Sequence, residues 1–338
     1  MPLRVAINGF GRIGRAAFKI ALDRKNIDIV AINDLTDTET LAHLLTYDTV
    51  YGKYPKKVGF TEHAILVQGK TYPVTAEKDP AALPWKEKRV DVVIESTGRF
   101  LKKDLATLHL KAGAKRVVLS APPKGSDVGT VVLGVNDGDL SRLQKGSGII
   151  SNASCTTNCI APAANVITKA FGIKKAMMTT IHSYTADQNL VDGPHKDLRR
   201  ARAAAQNIVP TTTGAAISTA ETIPEIKGMF DGLAIRVPTI VGSLSDFTFL
   251  VKKKTTVAAV NAAFEKAAAS KAYQGILTVT KDPIVSSDII GNPHSSIVDL
   301  PLTKVIDGDL VKIIAWYDNE WGYSHRLVDM VERMGKLL

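Results

Sequence analysis

The sequence is poor in cysteine, with only two among its 338 residues. Cys155 and Cys159 stand four positions apart, which fits neither a disulfide framework nor a four-ligand zinc pattern. No apolar run approaches the roughly 18 residues of a membrane-spanning helix. The amino terminus also lacks the basic segment and apolar stretch of a secretory signal. These absences predict a cytoplasmic protein with no disulfide, no metal centre and no membrane association.

Aromatic residues are also few, at 6% of the chain, while basic residues outnumber acidic ones and give a net charge of +10. Such a charge suits nucleic acid, but it suits anionic cofactors and substrates equally well. The basic clusters are not interleaved with aromatic side chains that could stack on bases; they comprise Lys252 to Lys254 and Arg199, Arg200 and Arg202. Charge alone therefore leaves nucleic acid and a small phosphorylated ligand open as partners.

Strand-like apolar runs alternate with helical patterns in the part of the chain before Ser151. The predicted strands are Leu3–Ile7, Ile29–Ile32, Val90–Ile94 and Val117–Leu119, and the predicted helices are Arg15–Leu22 and Leu101–Lys111. This alternation predicts an α/β fold with a parallel, doubly wound sheet. Two further runs, Val58–Val67 and Thr71–Val74, are predicted to form an inserted hairpin.

The second half of the chain has a different pattern. Phe247, Phe249 and Val251 alternate with more polar neighbours, which predicts a strand of a mainly antiparallel sheet with one covered face. The Ala-rich segment from Thr256 to Ala269 is predicted to be a covering helix. The second half is thus expected to be an α+β domain, and a last helix is predicted from Tyr323 to Leu338.

A glycine motif follows the first predicted strand and opens the first predicted helix. Gly9, Gly11 and Gly14 stand in the order G-x-G-x-x-G, which permits a tight turn, close approach of a pyrophosphate and close helix packing. Asp34 ends the next predicted strand, where an acid accepts from both ribose hydroxyls and repels a 2′-phosphate. We predict a Rossmann-type domain that binds NAD rather than NADP. The alternative is an unliganded turn with Asp34 as a helix cap.

A cysteine lies among small polar residues in the run Ser151–Cys159, directly before an apolar helical pattern. A thiol in the first turn of a helix is close to unpaired N–H groups and the positive end of the helix dipole, and both favour the thiolate. Cys155 is therefore the candidate nucleophile. The alternative is a small buried hydrophobic residue, which is how we interpret Cys159.

A nucleophilic thiol needs a base, and His182 is the best candidate. It ends the strand-like run that starts at Met177, and residues at strand ends face clefts. A histidine in that position is also commonly a hydrogen-bonded structural residue. The sequence does not by itself exclude His195, His294 or His325.

Seven segments resemble the glyceraldehyde-3-phosphate dehydrogenase family, in the family's order and over essentially the whole chain. They are Asn8–Arg15, Ser154–Cys159, His182–Thr185, Arg199–Arg202, Thr211–Ala216, Arg236–Pro238 and Tyr317–Ser324. The resemblance implies phosphorylating oxidation of glyceraldehyde 3-phosphate by NAD, through a thioester on Cys155 with His182 as general base. It also implies a triose phosphate and inorganic phosphate as partners, and a homotetramer.

The resemblance assigns the remaining site residues. Those implied for NAD are Gly9, Gly11, Arg12, Ile13, Gly14, Asp34, Lys78, Ser120 and Asn319. Those implied for the substrate phosphate and the attacking phosphate are Ser154, Thr156, Thr185, Arg200, Thr213, Gly214 and Arg236. The domains implied are an NAD-binding domain over 1–154, completed by a helix over 320–338, and a catalytic domain over 155–319.

Two alternatives to this function remain open at this point. Erythrose-4-phosphate dehydrogenase would use the same thiol and cofactor but release a free acid. A nucleic-acid-binding role of the basic surface belongs to a different class. The chain also departs from common family forms at Thr49, Tyr51 and Gly193, and Gly193 bears on cofactor choice.

Overall fold

The structure is a computed structural model that describes residues 1–143 and 146–338. The chain divides into two compact units. The first unit comprises Met1–Val131, Asp139–Ala153 and Ser324–Leu338, and the second comprises Val132–Gly138 and Ser154–Tyr323.

The first unit is built on a nine-stranded sheet in the order β10-β11-β9-β8-β1-β2-β7-β6-β5. Its strands are β1 (Leu3–Asn8), β2 (Ile27–Asn33), β5 (Val58–Thr61), β6 (Ala64–Val67), β7 (Lys70–Thr75), β8 (Val92–Glu95), β9 (Arg116–Leu119), β10 (Gly129–Thr130) and β11 (Ile149–Ser151), with a separate pair, β3 (Tyr47–Asp48) and β4 (Gly52–Lys53). Its helices are α1 (Arg12–Ala21), α2 (Thr38–Thr46), α3 (Lys103–Lys111) and α4 (Leu140–Leu143), with 3-10 turns at Pro80–Ala82 and Asp137–Asp139. The sequence later returns to this unit in α8 (Trp321–Gly335).

The strands from β10 to β7 pair in parallel, as the alternating pattern predicts. Helices cover the sheet through apolar clusters, one of which packs Ala106 of α3 against Val117 and Leu119 of β9. The inserted segment is a three-stranded meander rather than a hairpin, because a turn at Glu62 and His63 breaks the predicted strand Val58–Val67.

The second unit is built on an eight-stranded sheet in the order β13-β14-β12-β15-β19-β17-β16, and β18 also pairs with β19. The strands are β12 (Ile173–Ser183), β13 (Val209–Thr211), β14 (Phe230–Val237), β15 (Ser243–Val251), β16 (Leu277–Thr280), β17 (Ser296–Asp299), β18 (Lys304–Ile306) and β19 (Leu310–Tyr317). The helices are α5 (Cys155–Phe171), α6 (Ala215–Thr222) and α7 (Val257–Ala268), with 3-10 turns at Pro224–Ile226, Ser286–Ile289 and Leu300–Leu302. The sheet is mainly antiparallel, and its parallel pairs are β12 with β14 and β16 with β17.

Alternation in β15 decides which face of this sheet is covered. Phe247, Phe249 and Val251 are fully buried, as their period-2 spacing predicts. Val260 and Phe264 of α7 are also buried, so the Ala-rich segment is the predicted covering helix. The run Lys252 to Lys254 is exposed just beyond the strand, which agrees with a solvated strand end.

The two compact units differ from the predicted domains mainly at 132–138. The sequence assigns this segment to the first domain, whereas the structure groups it with the second unit. The reason is that Gly134 packs closely on Ala272 and Tyr273 of the second unit. A Cβ added to Gly134 would lie 2.9 Å from the Ala272 carbonyl and 3.1 Å from the Tyr273 ring. Within residues 1–143 and 146–338, no helix is long and apolar enough to span a membrane.

Candidate active site

The turn between β1 and α1 has the backbone geometry that a dinucleotide pyrophosphate requires. Gly9 adopts φ +94°, a conformation that disfavours side chains. A Cβ on Gly14 would lie 2.1 Å from the Gly9 carbonyl oxygen, so α1 packs on the turn only if residue 14 is glycine. A Cβ on Gly11 would meet nothing within 4 Å. Gly11 therefore faces open space at the N-terminus of α1, where N–H groups and the helix dipole attract a phosphate.

A cleft of about 420 Å³ opens at this turn and is lined by Gly9, Asp34 and Lys78, among others. The Asp34 carboxylate accepts hydrogen bonds from Phe10 N at 2.6 Å and Thr36 N at 3.0 Å. Asp34 is thus not the cap of α2, because the Asp37 side chain caps that helix. The Asp34 carboxylate is fixed beside the glycine turn, where it suits a ribose diol.

The other predicted NAD residues of this unit lie near the carboxyl ends of the strands. Arg12 and Ile13 begin α1, and Ser120 follows β9 and donates its backbone N–H to Glu95 O at 2.9 Å. The Arg12 guanidinium pairs with Asp48 at 3.1 Å. The glycine turn, the fixed Asp34 carboxylate and the helix N-terminus together fit NAD.

The candidate nucleophile lies at the first position of α5. Ser154 caps this helix, and its hydroxyl accepts from Thr157 N at 3.0 Å. The residue before the cap, Ala153, is buried and adopts φ +56°, a strained conformation for a residue with a Cβ. Cys155 is partly exposed, whereas Cys159, one turn further on, is fully buried. Burial raises the pKa of Cys159 to about 12, which suits a packing residue.

His182, near the end of the interior strand β12, contacts the candidate nucleophile. Its Nε2 lies 3.5 Å from Cys155 Sγ, and its Nδ1 lies 2.6 Å from the Ser183 carbonyl oxygen. Arg236 Nη1 also lies 3.0 Å from Nδ1, but the Ser183 carbonyl is the closer partner and only accepts, so we assign the proton to Nδ1. Nε2 is consequently unprotonated and faces the thiol. The alternative bases are engaged elsewhere in their own segments, His195 with Asp197 and His294 with Asn292.

Burial controls the charge of this pair. It lowers the pKa of His182 to about 3, with a further contribution from the positive charge of Arg236. Partial removal from water also raises the pKa of the Cys155 thiol, while Arg236, the Thr156 hydroxyl and the N–H groups of Thr156 and Cys155 act in the opposite direction. These shifts favour a neutral thiol beside a neutral imidazole. The direction for the thiol is opposite to the effect expected of a helix N-terminus, because removal from water is the largest contribution.

The structure brings Arg236 and Thr185 to the same pair. Arg236, on β14, donates from Nη1 to the Ser183 carbonyl at 3.1 Å and to Thr185 Oγ1 at 3.4 Å. The Arg236 Nε group is buried and has no hydrogen-bond partner within the described residues. An unpaired buried donor on a cation suits an anionic ligand.

Arg200 is held by its own segment. Its guanidinium donates to Asp187 at 2.5 Å, to Thr211 Oγ1 at 2.9 Å and to the Thr212 carbonyl at 3.0 Å. Two carboxylates, Asp187 and Asp197, thus offset its charge. Arg200 was expected to attract anions through its charge. In the structure it also fixes the chain just before Thr213, through its bonds to Thr211 and Thr212.

The remaining predicted phosphate residues begin helices. Thr213 accepts from Ala215 N at 3.2 Å, and Gly214 is the N-cap of α6. No hydrogen bond joins either residue to the thiol–imidazole pair in the part of the chain that the structure describes. The Thr156 hydroxyl faces the interior, where it lies 3.0 Å from Tyr317 Oη. The same hydroxyl also lies 4.0 Å from Cys155 Sγ, so both the hydroxyl and the backbone N–H of Thr156 contact the thiol.

Asn319 is buried just beyond β19. Its Oδ1 accepts from Gly242 N at 3.2 Å and from Ser243 Oγ at 2.9 Å. Because a backbone N–H only donates, this contact fixes the oxygen of the amide and directs the amide nitrogen away from Gly242. A nitrogen presented in this way suits the carbonyl of a nicotinamide carboxamide.

Sequence reasoning missed two buried polar groups. Tyr317 Oη lies 3.0 Å from Thr156 Oγ1 and 2.8 Å from Thr180 Oγ1, and its ring packs edge-on against His182. Glu95 is fully buried at the end of β8. An acid directly after the apolar residues Val92–Ile94 of a predicted strand is a signal that could have identified it. Within the described residues, no group of three His, Cys, Asp or Glu side chains is placed to hold a metal.

The first unit has a mainly parallel sheet with a dinucleotide-binding turn, and the second has a mixed sheet with a thiol–imidazole pair. This combination is typical of nicotinamide-dependent dehydrogenases. Residues 3–103 match the NAD binding domain of glyceraldehyde 3-phosphate dehydrogenase, and residues 154–319 match the C-terminal domain.

Curated relatives match over nearly the full length. Glyceraldehyde-3-phosphate dehydrogenase 2 of Streptomyces avermitilis is 54% identical over 100% of both chains. The enzyme named glyceraldehyde-3-phosphate dehydrogenase of Geobacillus stearothermophilus is 53% identical over 98% of this chain and 97% of its own. The chain belongs to the glyceraldehyde-3-phosphate dehydrogenase family, and its cofactor is NAD. These findings do not favour the erythrose 4-phosphate or nucleic-acid alternatives.

Proposed function

We propose that the chain catalyses the phosphorylating oxidation of glyceraldehyde 3-phosphate to 1,3-bisphosphoglycerate, with Cys155 as nucleophile and His182 as general base. The observation that carries the proposal is the 3.5 Å separation between Cys155 Sγ and His182 Nε2, with the ring oriented by the Ser183 carbonyl. This is the nucleophile, base and orienting group that covalent catalysis requires.

Addition to the aldehyde begins with a proton transfer. The thiol gives its proton to His182 Nε2 as Cys155 Sγ bonds to the aldehyde carbon, and His182 returns that proton to the oxygen of the hemithioacetal. A neutral imidazole with a low pKa accepts the proton only transiently, so it is free again for the next step.

Oxidation uses the same nitrogen. His182 Nε2 takes the proton of the hemithioacetal hydroxyl as the carbon is oxidised to a thioester. Bound NAD supplies the oxidising power by accepting the hydride. Inorganic phosphate then attacks the thioester carbon, the C–S bond breaks, and the departing Cys155 sulfur takes back the proton held on His182.

Two groups of residues are proposed to hold the anions. Arg236, with its buried Nε donor, and Thr185 receive the phosphate of the substrate. The helix N-termini at Ser154, Thr156, Thr213 and Gly214 receive the attacking phosphate, and Arg200 holds the segment before Thr213.

We also propose a cytoplasmic homotetramer. Large apolar side chains are exposed on the segment that follows β12: Leu190 at 81%, Val191 at 71%, Leu198 at 82% and Ile208 at 70%. Exposed apolar groups on one segment support a subunit interface. Two free cysteines support a reducing compartment. Light scattering coupled to size-exclusion chromatography tests the assembly, and a monomer would contradict it.

Phosphate dependence tests the activity. NADH formation from glyceraldehyde 3-phosphate and NAD is measured with and without inorganic phosphate, for the wild type and for Cys155→Ser. We expect turnover that requires phosphate and disappears in the variant. Turnover without phosphate, or turnover that survives in Cys155→Ser, would contradict the proposal.

A further inference from the structure

The carboxyl ends of four neighbouring strands in the first unit are joined by one buried polar chain. Glu95 ends β8, Asn8 ends β1, Asn33 ends β2 and Thr75 ends β7. Asn8 Nδ2 donates to Glu95 at 2.6 Å, Asn33 Nδ2 donates to Asn8 Oδ1 at 2.7 Å, and Thr75 Oγ1 donates to Asn33 Oδ1 at 2.8 Å. The chain of hydrogen bonds therefore starts from a single carboxylate.

Glu95 accepts four hydrogen bonds although it has no contact with solvent. Its Oε2 accepts from Asn8 Nδ2 and from His109 Nε2 at 3.0 Å, and its Oε1 accepts from Thr97 N at 2.8 Å and from the Thr97 hydroxyl. The Glu95 side chain thus ties Asn8 of β1, His109 of α3 and the Thr97 segment together.

The protonation of His109 is fixed from its other side. Trp85 Nε1 donates to His109 Nδ1 at 3.0 Å, and an indole N–H cannot accept. His109 Nδ1 is therefore unprotonated, so Nε2 carries the proton that is donated to Glu95. Both His109 and Trp85 are fully buried.

This network supports the floor of the dinucleotide cleft. Asn8, Asn33 and Thr97 line the cleft, and Glu95 holds the first and last of these directly. The turn residue Gly9 is tied to the same strands, because its N–H donates to the Asn33 carbonyl at 2.8 Å. A shift of the Glu95 carboxylate would move both the glycine turn and the Thr97 segment.

We infer that Glu95 is a positioning residue for NAD, one that holds the glycine turn and the Thr97 segment in the geometry that binds the adenosine side of the cofactor. The inference depends on NAD as the cofactor and is independent of the substrate proposed above. Asp34, the residue that suits the ribose diol, lines the same cleft. A change at Glu95 is therefore expected to weaken binding of the ADP-ribose half of NAD.

Glu95→Gln tests the inference, because it replaces one carboxylate oxygen by an NH2 group, which donates. In one orientation this NH2 group faces the donors of Asn8 and His109, and in the flipped orientation it faces the N–H of Thr97. We expect the Kd for NAD and the Kd for ADP-ribose, measured by calorimetry, to rise by the same factor of about ten or more. We expect kcat at saturating NAD to stay within about twofold. An unchanged Kd for ADP-ribose would overturn the inference.

A matched control separates positioning from loss of stability. Val117→Ala opens a cavity in the buried cluster between β9 and α3, away from the cleft. Both variants are expected to melt at lower temperature, and only Glu95→Gln is expected to bind NAD weakly well below its melting temperature. Equal losses of NAD affinity in the two variants would contradict a positioning role.

A milder variant keeps the inference testable if Glu95→Gln does not fold. Glu95→Asp keeps the charge, and its shorter side chain can still accept from the N–H two residues on, at Thr97. It cannot at the same time reach Asn8 and His109. We expect its Kd for NAD to rise several-fold, whereas wild-type affinity would show that the link to Asn8 is unnecessary and overturn the inference.

Discussion

The Sγ atom of Cys155 lies 3.5 Å from Nε2 of His182, and their surroundings favour the neutral form of both groups by raising the pKa of the thiol and lowering that of the imidazole. In a neutral pair, Cys155 is a thiol until a substrate carbonyl binds beside it. Proton transfer to His182 is then part of the attack, rather than a state that precedes it.

Loss of the base should therefore slow turnover strongly. We expect His182→Asn to lower kcat by about 10²–10⁴-fold, the range for removal of a general base. Steady-state NADH formation measures the effect. His63→Asn, at a histidine whose side chain is 83% exposed, is the control and should keep wild-type turnover. A wild-type rate in His182→Asn would exclude the assigned role.

Removal of the nearby cation should affect both the thiol and the substrate. Arg236 opposes the rise in the pKa of Cys155, so Arg236→Gln should raise that pKa further and slow alkylation by iodoacetamide near neutral pH. A lost charge-assisted contact should raise KM for the triose phosphate by about 10–100-fold. Arg202→Gln, at an exposed pair with Asp192, should leave alkylation and KM unchanged.

Acid should destabilise the protein through His182. The unfolded imidazole has a pKa near 6.5, and burial lowers the folded value to about 3. Between these values the unfolded chain binds the extra proton, so the stabilisation is fully present above about pH 6.5 and falls by up to about 1.4 kcal/mol per pH unit on acidification. Chemical unfolding of His182→Asn, measured alongside the wild type, should give a shallower slope over that window. Identical slopes would contradict a buried neutral His182.

Local patterns predicted much of the fold and the core of the site. The alternation of β15 predicted its buried face, and the strand–glycine–helix order predicted the turn at Gly9 and Gly14. These features depend on neighbours in sequence, because glycine conformation and strand alternation are local properties. His182 was found by the same reasoning, as the end of a strand. Its contact with Cys155 was inferred from chemical need rather than from spacing.

Long-range polar contacts were not predictable in the same way. The Tyr317 hydroxyl meets Thr156 across 161 positions, and Glu95 meets Asn8 across 87. No periodicity encodes such pairs, which depend on the order of strands in a sheet. The rise in the pKa of Cys155 was not predictable for a related reason, because its surroundings come from β12 and β14 as well as from its own helix.

The two later glycines of the motif should respond differently to alanine. In Gly14→Ala the Cβ would lie 2.1 Å from the Gly9 carbonyl oxygen, so we expect a loss of about 1–3 kcal/mol in unfolding free energy together with weak NAD binding. In Gly11→Ala the Cβ meets nothing in the free protein, so stability should change by less than about 1 kcal/mol. NAD affinity should still fall, because that Cβ occupies the approach of the pyrophosphate. Calorimetry and thermal melting distinguish the two, and equal stability losses would contradict the assigned packing.

Cofactor choice should depend on the fixed carboxylate of Asp34. Phe10 N at 2.6 Å and Thr36 N at 3.0 Å hold it in the cleft, so a 2′-phosphate would meet a negative charge that cannot move away. Asp34→Asn removes that charge and one strong acceptor, and we expect the preference for NAD over NADP to fall by about 10–100-fold. Titration of both cofactors by fluorescence quenching measures the ratio. Asp37→Asn removes the same charge three residues on, where the side chain only caps α2, and should leave the ratio unchanged. A similar fall in both variants would mean that the general field, rather than the position of Asp34, sets the preference.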